Sequence, residues 1–235
     1  AYPPLFEWTP NKELFYYADS SAYLFNPENK SSVKLYSMPS DVSYRLASSD
    51  FKKVAFTREN NLYVISDQSL LSISNEENKN IIYGQVVHRN EFGIDKGIFF
   101  SPDGKSLAFY KMDQTMVDDY PILETDEIPA TTRMIKYPMA GRKSHHVSIG
   151  IAETETGKII YLRTDDPKVY FSDEQYLTSV TWSPDSKSIY AAVLNRDQNH
   201  LRLAKFNASD GSLVKVLFEE KSDKYVEPEN PLFFL

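Results

Sequence analysis

One turn motif recurs along this chain and constrains its fold more than any other feature. It reads Trp-Thr-Pro-Asn at residues 8–11, Phe-Ser-Pro-Asp-Gly at 100–104 and Trp-Ser-Pro-Asp at 182–185, with a weaker copy, Ala-Ser-Ser-Asp-Phe, at 47–51. An aromatic or small residue ends one apolar run, the polar residues and proline supply turn chemistry, and an alternating apolar run begins within about four residues. The motif therefore predicts a β-hairpin that is used four times.

Further apolar runs follow each hairpin at short intervals. Residues 61–65 are followed by 70–73, and residues 201–206 by 213–217, with turn residues between the members of each pair. Four antiparallel strands per repeat is typical of a β-propeller blade. The sequence therefore predicts an all-β fold, a β-propeller of about four blades with four antiparallel strands each.

The spacing of the motif predicts two insertions. Successive copies are roughly 39, 53 and 82 residues apart, against about 40–50 residues for ordinary blade repeats. The extra residues fall near 84–97 and 113–146, and in the second insertion Pro121, Pro129 and Pro138 are expected to interrupt any regular strand or helix. Loops added to a rigid scaffold often carry binding groups, but they can also be inert tethers, so position alone leaves both roles open.

The ends of the chain suggest a piece of a longer protein. Residues 225–228 and 232–234 look like the start of another blade, which makes residues 1–235 an incomplete propeller domain. Open sheet edges would then be exposed or covered by a partner, and we expect the isolated piece to aggregate. The residues Ala1-Tyr2-Pro3-Pro4 lack the features of a signal peptide, so we expect any export signal to lie upstream.

Composition argues against several classes of function. A net charge of −7 without a basic patch disfavours nucleic acid as a partner. The sequence has no cysteine and no H-E-x-x-H spacing, and its eight glycines form no G-x-S-x-G, P-loop or dinucleotide pattern. We therefore expect no catalytic residues, no metal and no cofactor in this chain.

The polar residues that remain are mostly explained by structure. His145 and His146 would point to opposite faces of an extended strand, one into the sheet and one to solvent, which favours packing over metal binding, and His88 and His200 have no metal-binding spacing. Asp103, Asp185 and Asp210 lie in turns, where Asp caps its own backbone. Glu91 is the exception, because it lies in a mixed-charge segment of the first insertion. It is either a solvated loop acid or a binding group.

The segment Val87-His88-Arg89-Asn90-Glu91-Phe92-Gly93, followed by residues 100–104 and 107–110, resembles the propeller of prolyl dipeptidyl peptidase IV and its prolyl tripeptidyl relatives. The similarity continues through residues 47–65, 117–121 and 137–141. It therefore covers nearly the whole chain and both insertions.

The resemblance implies an eight-bladed propeller stacked on a C-terminal α/β-hydrolase domain that lies outside this chain. The parent would be a serine-type, X-Pro-cleaving dipeptidyl or tripeptidyl peptidase, and this chain would gate and recognise its substrate without carrying the catalytic triad. Glu91 matches the acidic position that binds the free amino terminus of the peptide. Arg89 and Asn90 would contact peptide carbonyls, or Arg89 would pair with Glu91 and orient it, which we prefer.

Some consequences of the resemblance stay open. Dipeptidyl peptidases often carry adjacent acids at this position, whereas Asn90 precedes Glu91, so release of a dipeptide or a tripeptide is undecided. The family's active-site arginine, from an earlier blade, has no counterpart that can be aligned here. The implied partners are a peptide with a free amino terminus, the parent's own hydrolase domain and a second copy of the parent in a homodimer. The implied location is the periplasm, the cell surface or the medium, in a bacterium.

Two other functions compete with this interpretation. The runner-up is a non-enzymatic propeller that serves as a protein-interaction scaffold. The weakest is a carbohydrate-binding or glycosidase propeller, which would need paired carboxylates and exposed tryptophan at the channel. Trp8 and Trp182 both occupy the hairpin motif, and we expect them in the core.

Overall fold

The computed structural model describes residues 6–126, 128–228, 230 and 232–234, and antiparallel sheets dominate it. The first blade contains β1 (Phe6–Trp8), β2 (Leu14–Ala18), β3 (Ser21–Asn26) and β4 (Ser31–Ser37). The second contains β5 (Ser43–Ala47), β6 (Lys53–Arg58), β7 (Asn61–Ser66) and β8 (Ser69–Ser72). The all-β prediction of four-stranded blades is confirmed.

The third blade is larger than the others. It contains β9 (Ile81–Tyr83), β10 (Ile98–Phe100), β11 (Ser106–Asp113), β14 (His146–Glu153) and β15 (Ile159–Tyr161), and a separate hairpin of β12 (Asp119–Glu124) and β13 (Thr131–Lys136) leaves it between β11 and β14. A single 3₁₀ turn spans His88–Asn90. The fourth blade contains β16 (Tyr176–Trp182), β17 (Ser188–Leu194), β18 (His200–Asn207) and β19 (Leu213–Lys221). No helix in the described residues is long and apolar enough to cross a membrane.

Three of the four predicted hairpin turns share one hydrogen-bond pattern. A serine hydroxyl donates to the aspartate two residues later at 2.6 Å and accepts the backbone N–H five residues later, and the three serines are Ser48, Ser101 and Ser183. The hydroxyl of Ser183 lowers the pKa of Asp185 by donating to its carboxylate. The structural role predicted for Asp103 and Asp185 is thus confirmed. It is confirmed for Asp210 too, whose carboxylate accepts the N–H and the hydroxyl of Ser212.

The core lies between blades rather than within one sheet. On β11, Leu107 and Phe109 are buried against the second blade, whereas Ala108 and Tyr110 are buried against the fourth. This follows from the two-residue period of a strand that is covered on both faces. Each blade therefore depends on its neighbours for burial, and a side chain on one blade can fix a loop on the next.

The two tryptophans do not share an environment. Trp182 is 7% exposed, and its Nε1–H donates to the carbonyl of Phe99 in the third blade at 2.9 Å. Trp8 is 61% exposed, so the prediction that it lies in the core was wrong. The pocket of Trp182 is built by the preceding blade, and the described residues include no blade before the first.

The second insertion is more regular than its prolines predicted. Pro121 lies within β12, opposite Met134 of β13. In a two-stranded ribbon each strand keeps one unpaired edge, where proline need not remove a ladder hydrogen bond. The prediction that Pro121 interrupts a strand was therefore wrong.

The last residues pack onto the fourth blade. Val226 is buried and its N–H bonds to the carbonyl of Gln198 at 2.7 Å, and the rings of Phe234 and Tyr190 are 5.1 Å apart. The described residues after Lys221 form no strand. The expected start of another blade is thus not formed in this part of the chain.

Candidate functional site

The first insertion interrupts the innermost strand of the third blade. β9 and β10 pair with the same edge of β11, β9 with residues 111–113 and β10 with residues 107–109. β10 also contacts β5 and β16, the first strands of the neighbouring blades. Residues 84–97 thus leave and re-enter the strand that contacts the first strands of both neighbouring blades, which places the insertion at the inner edge of the arc.

Two glycines form the neck of the insertion. The N–H of Gly84 donates to the carbonyl of Tyr110 at 2.8 Å, and the N–H of Tyr110 donates to the carbonyl of Gly97 at 3.0 Å. A Cβ at Gly97 would lie 2.2 Å from the carbonyl oxygen of Gln85. The two chain segments approach too closely for a side chain, so the neck requires glycine.

A left-handed turn leads to Glu91. His88, Arg89 and Asn90 have φ angles of 51°, 55° and 64°. The N–H of Glu91 donates to the carbonyl of His88 at 3.1 Å and closes the turn. Non-glycine residues in this conformation cost about 1–2 kcal/mol each. Such strain persists only where surrounding contacts enforce it, and it often marks a functional segment.

Contacts to β16 hold this turn on both sides of Glu91. Before it, the ring Nε2 of His88 accepts the N–H of Leu177 at 3.2 Å. After it, the carbonyl of Phe92 accepts the hydroxyl of Thr178 at 2.7 Å. The third and fourth blades together therefore fix the backbone at Glu91.

His88 forms a buried pair with His145, which we call the histidine pair. Nδ1 of His88 and Nε2 of His145 are 2.9 Å apart. Because Nε2 of His88 accepts the Leu177 N–H, its proton is on Nδ1 and is donated to Nε2 of His145. Both rings are therefore neutral, and the proton on His145 is on Nδ1. Of the two adjacent histidines, His145 is buried and His146 is partly exposed, as the alternation predicted.

Burial keeps the histidine pair uncharged. Burial lowers the pKa of His88 well below 6.5, and the positive charge of Arg196 adds to the effect of its neighbour His145. Burial, again with Arg196, lowers the pKa of His145 to about 4. Near neutral pH the hydrogen bond between His88 and His145 therefore joins two uncharged rings.

Glu91 itself presents an exposed carboxylate. This carboxylate forms no hydrogen bond or ion pair with any residue that the structure describes. The expected ion pair with Arg89 is not formed, because the guanidinium lies over the ring of Tyr137, 4.8 Å from its centre. Asn90 is exposed beside it. The geometry thus leaves Glu91 available to a cationic ligand.

A cavity of about 710 Å³ lies next to the insertion along the inner strands. Residues 92–96 of the insertion line it together with residues of β5, β10 and β16, including Leu46, Phe99 and Trp182. Its size falls in the range of small-molecule and peptide sites. Among the described residues, no group of three or more His, Asp or Glu is placed to hold a metal ion.

Three residues near the turn were not identified from the sequence. Tyr176 packs edge-on against the ring of His88, with ring centres 5.0 Å apart, and the guanidinium of Arg196 donates to its hydroxyl. Glu174 lies 3.7 Å from Nε of Arg196. These residues come from loops and a strand of the fourth blade. They approach the insertion only when the blades pack, so no local sequence signal could have indicated them.

Comparison with known proteins gives one family. A family model described as the dipeptidyl peptidase IV N-terminal region matches residues 6–235. A protein of Uncinocarpus reesii described as a dipeptidyl-aminopeptidase B is 26% identical over 235 residues, which cover 91% of this chain and 25% of that protein. The chain therefore spans about a quarter of the length of this relative.

Solved structures agree with this fold. A protein of Bacteroides ovatus described as a dipeptidyl aminopeptidase IV is 40% identical, with a TM-score of 0.84 over 95% of this chain and 30% of that one. The dipeptidyl peptidase 4 of Porphyromonas gingivalis has a TM-score of 0.78 over 95% of this chain and 33% of that one. At 19% identity the latter supports the fold alone. The predicted family and the predicted propeller fold are confirmed.

Proposed function

Because this chain belongs to the dipeptidyl peptidase IV N-terminal region family, we propose that it recognises the free amino terminus of a peptide through Glu91. The observation that carries this proposal is the exposed carboxylate of Glu91, which has no partner in the described part of the chain and lies on a strained turn that two blades hold in place. Strain of this kind is maintained at a cost, and a binding group that must be presented at one point gives a reason for it.

The chemistry of the interaction follows from charge. A peptide's ammonium group loses water when the peptide binds and must then be paired, and a carboxylate provides charge-assisted hydrogen bonds worth about 1.5–3 kcal/mol each. If the bond is kept in the transition state, it raises kcat/KM by very roughly one to two orders of magnitude. Glu91 would thereby fix the distance from the amino terminus to the cleaved bond.

The same proposal includes the activity and assembly of the complete protein. The relatives described as dipeptidyl-aminopeptidases support a peptidase as the complete protein. We propose in addition that this protein is exported and of the serine type, with a hydrolase domain that cleaves after X-Pro. The propeller would admit the peptide through its central channel and present the amino terminus to Glu91. Arg89 and Asn90 would contact peptide carbonyls, since Arg89 is not used by Glu91. A homodimer of the complete protein is a further part of this proposal.

Cleavage by the complete protein tests the proposal. We would compare kcat/KM for chromogenic X-Pro substrates with free and acetylated amino termini, in the wild type, in Glu91→Gln and in Glu77→Gln. Glu77 is an exposed acid on the loop before β9 and serves as the matched control. We expect the wild type and Glu77→Gln to prefer the free amine strongly, and Glu91→Gln to lose roughly ten- to a hundred-fold of that preference.

Two other results would argue against a recognition role for Glu91. Equal cleavage of both substrates by the wild type would make Glu91 a solvated loop acid. Cleavage of neither would support the scaffold function instead. The mass of the released product decides between a dipeptide and a tripeptide.

A further inference from the structure

We infer that the histidine pair positions Glu91: His88, bonded to both Leu177 and His145, locks the left-handed turn of residues 88–90 onto the fourth blade, and protonation of the pair releases it. The inference rests on the recognition role of Glu91 proposed above. It assigns to His88 and His145 a positioning role, and neither ring is required to touch the peptide.

Two hydrogen bonds of His88 connect β16 to Glu91. The ring accepts the N–H of Leu177 at 3.2 Å, and the backbone carbonyl of the same residue accepts the N–H of Glu91 at 3.1 Å. One residue therefore connects the inner edge of β16 to the backbone of Glu91. A change in the ring contact is passed to Glu91 through a single hydrogen bond and three peptide units.

The inner edge of β16 depends on the third blade for its hydrogen bonds at Leu177. The carbonyl of Leu177 accepts the hydroxyl of Tyr110 at 3.0 Å, while its N–H goes to His88. Both polar groups of this buried residue are thus satisfied by third-blade side chains. Loss of the His88 acceptor would leave a buried N–H without a partner in this arrangement, which favours separation of the turn from the blade.

Both hydrogen bonds require a neutral acceptor ring, His88 for the N–H of Leu177 and His145 for the N–H of His88. A protonated His88 would direct a second N–H at the N–H of Leu177, so two donors would face each other. A protonated His145 would do the same toward Nδ1–H of His88. Neither bond of the pair survives protonation of its acceptor.

The groups around the pair oppose an added proton. Arg196 lies near both rings, and Arg89 and His146 lie near His145, whereas the carboxylate of Glu174 favours a charged His145. The ring of Tyr176 lies nearly perpendicular to that of His88, and its hydroxyl is already bonded to Arg196. Because both rings are buried and two guanidinium groups lie near His145, charging the pair is unfavourable, and the turn has to open to accept the proton.

The alternative is that His88 only fills space. Two variants separate this role from positioning. His88→Gln can place a carbonyl oxygen where Nε2 accepts the Leu177 N–H, without a titratable ring. His88→Phe keeps a ring of similar size but has no acceptor. His146→Gln, on the neighbouring residue outside the pair, is the matched control.

The kinetic test uses the complete protein and the ratio of kcat/KM for free over acetylated substrates, measured between pH 4 and 8. We expect His88→Phe to lower the ratio about tenfold at pH 7 and His88→Gln to keep it within about twofold. We expect the ratio of the wild type and of His146→Gln to fall in acid, and that fall to be weaker in His88→Gln. A folded His88→Phe with the wild-type ratio, or a His88→Gln as impaired as His88→Phe, would overturn the inference.

A second measurement needs neither a variant nor activity. Amide hydrogen exchange of the wild-type protein, corrected for intrinsic rates, is compared at pH 7 and pH 5. We expect the amides of Leu177 and Glu91 to lose protection together at the lower pH. Unchanged protection of both would overturn the inference whatever the protein cleaves, whereas failure to cleave X-Pro substrates with this loss of protection would overturn only the proposed function.

Discussion

At the scale of single residues, carboxylates in this chain are used in two opposite ways. The carboxylate of Asp185 accepts the hydroxyl of Ser183 and the N–H of Lys187, so its oxygens serve the turn that carries it. Glu91 has a backbone whose N–H and carbonyl are both hydrogen-bonded, and its side chain has no partner among the residues that the structure describes. A serine two residues before an aspartate predicts the first use. Nothing in the pattern around Glu91 predicts the second, which was indicated by the family resemblance alone.

The histidine pair predicts how stability changes with pH. His145 has a pKa of about 4 in the folded chain, against an ordinary value of 6.5, and that of His88 is also lowered. The unfolded chain therefore binds more protons below pH 6.5 than the folded one. The contribution of the neutral histidine pair to the free energy of unfolding is fully present above about pH 6.5 and is lost as the pH falls toward 4. His145 alone accounts for on the order of 3 kcal/mol of it.

Urea unfolding of the complete protein from pH 4 to 8 measures this dependence. We expect the double variant His88→Gln/His145→Gln to lose free energy of unfolding less steeply between pH 6.5 and 4 than the wild type. His146→Gln should keep the wild-type slope. Parallel curves for the wild type and the double variant would show that the pair does not titrate on unfolding.

At the scale of elements, the insertion was predictable but its closure was not. Motif spacing placed extra residues near 84–97, because a repeat of known length makes any excess visible. The neck at Gly84 and Gly97 depends on both glycines bonding to Tyr110, which lies on a different strand. Pro121 was also predicted to interrupt a strand, but it lies within β12. The sequence does not show whether a strand has an unpaired edge, where proline is tolerated.

The neck glycines give a test at this scale. In Gly97→Ala, the new Cβ would meet the carbonyl oxygen of Gln85 at 2.2 Å, so we expect a loss of about 3 kcal/mol in the free energy of unfolding. Gly141→Ala is the control, because Gly141 has a φ of +73° but nothing within 4 Å of an added Cβ. There we expect about 1 kcal/mol, from backbone conformation alone. Equal losses in the two variants, measured by urea unfolding, would contradict a tight neck.

At the scale of the whole molecule, packing between blades determines what each residue can do. The apolar run of residues 107–110 on β11 is visible in the sequence, and it is typical of a strand buried on both faces. The exposure of Trp8 is not visible there, because it depends on which blade stands beside it. The cluster of Tyr176, Arg196 and Glu174 around the histidine pair has the same origin. The expected aggregation of the isolated chain, with Phe6 and Trp8 exposed on β1, stays a prediction.

The location of a bound peptide's amino group tests the central claim most directly. We would determine a crystal structure of the complete protein with an X-Pro peptide or its product. We expect the α-amino nitrogen within about 3 Å of a carboxylate oxygen of Glu91, with the left-handed turn unchanged. An α-amino group paired with another acid, or a peptide bound away from residues 84–97, would contradict the recognition role of Glu91.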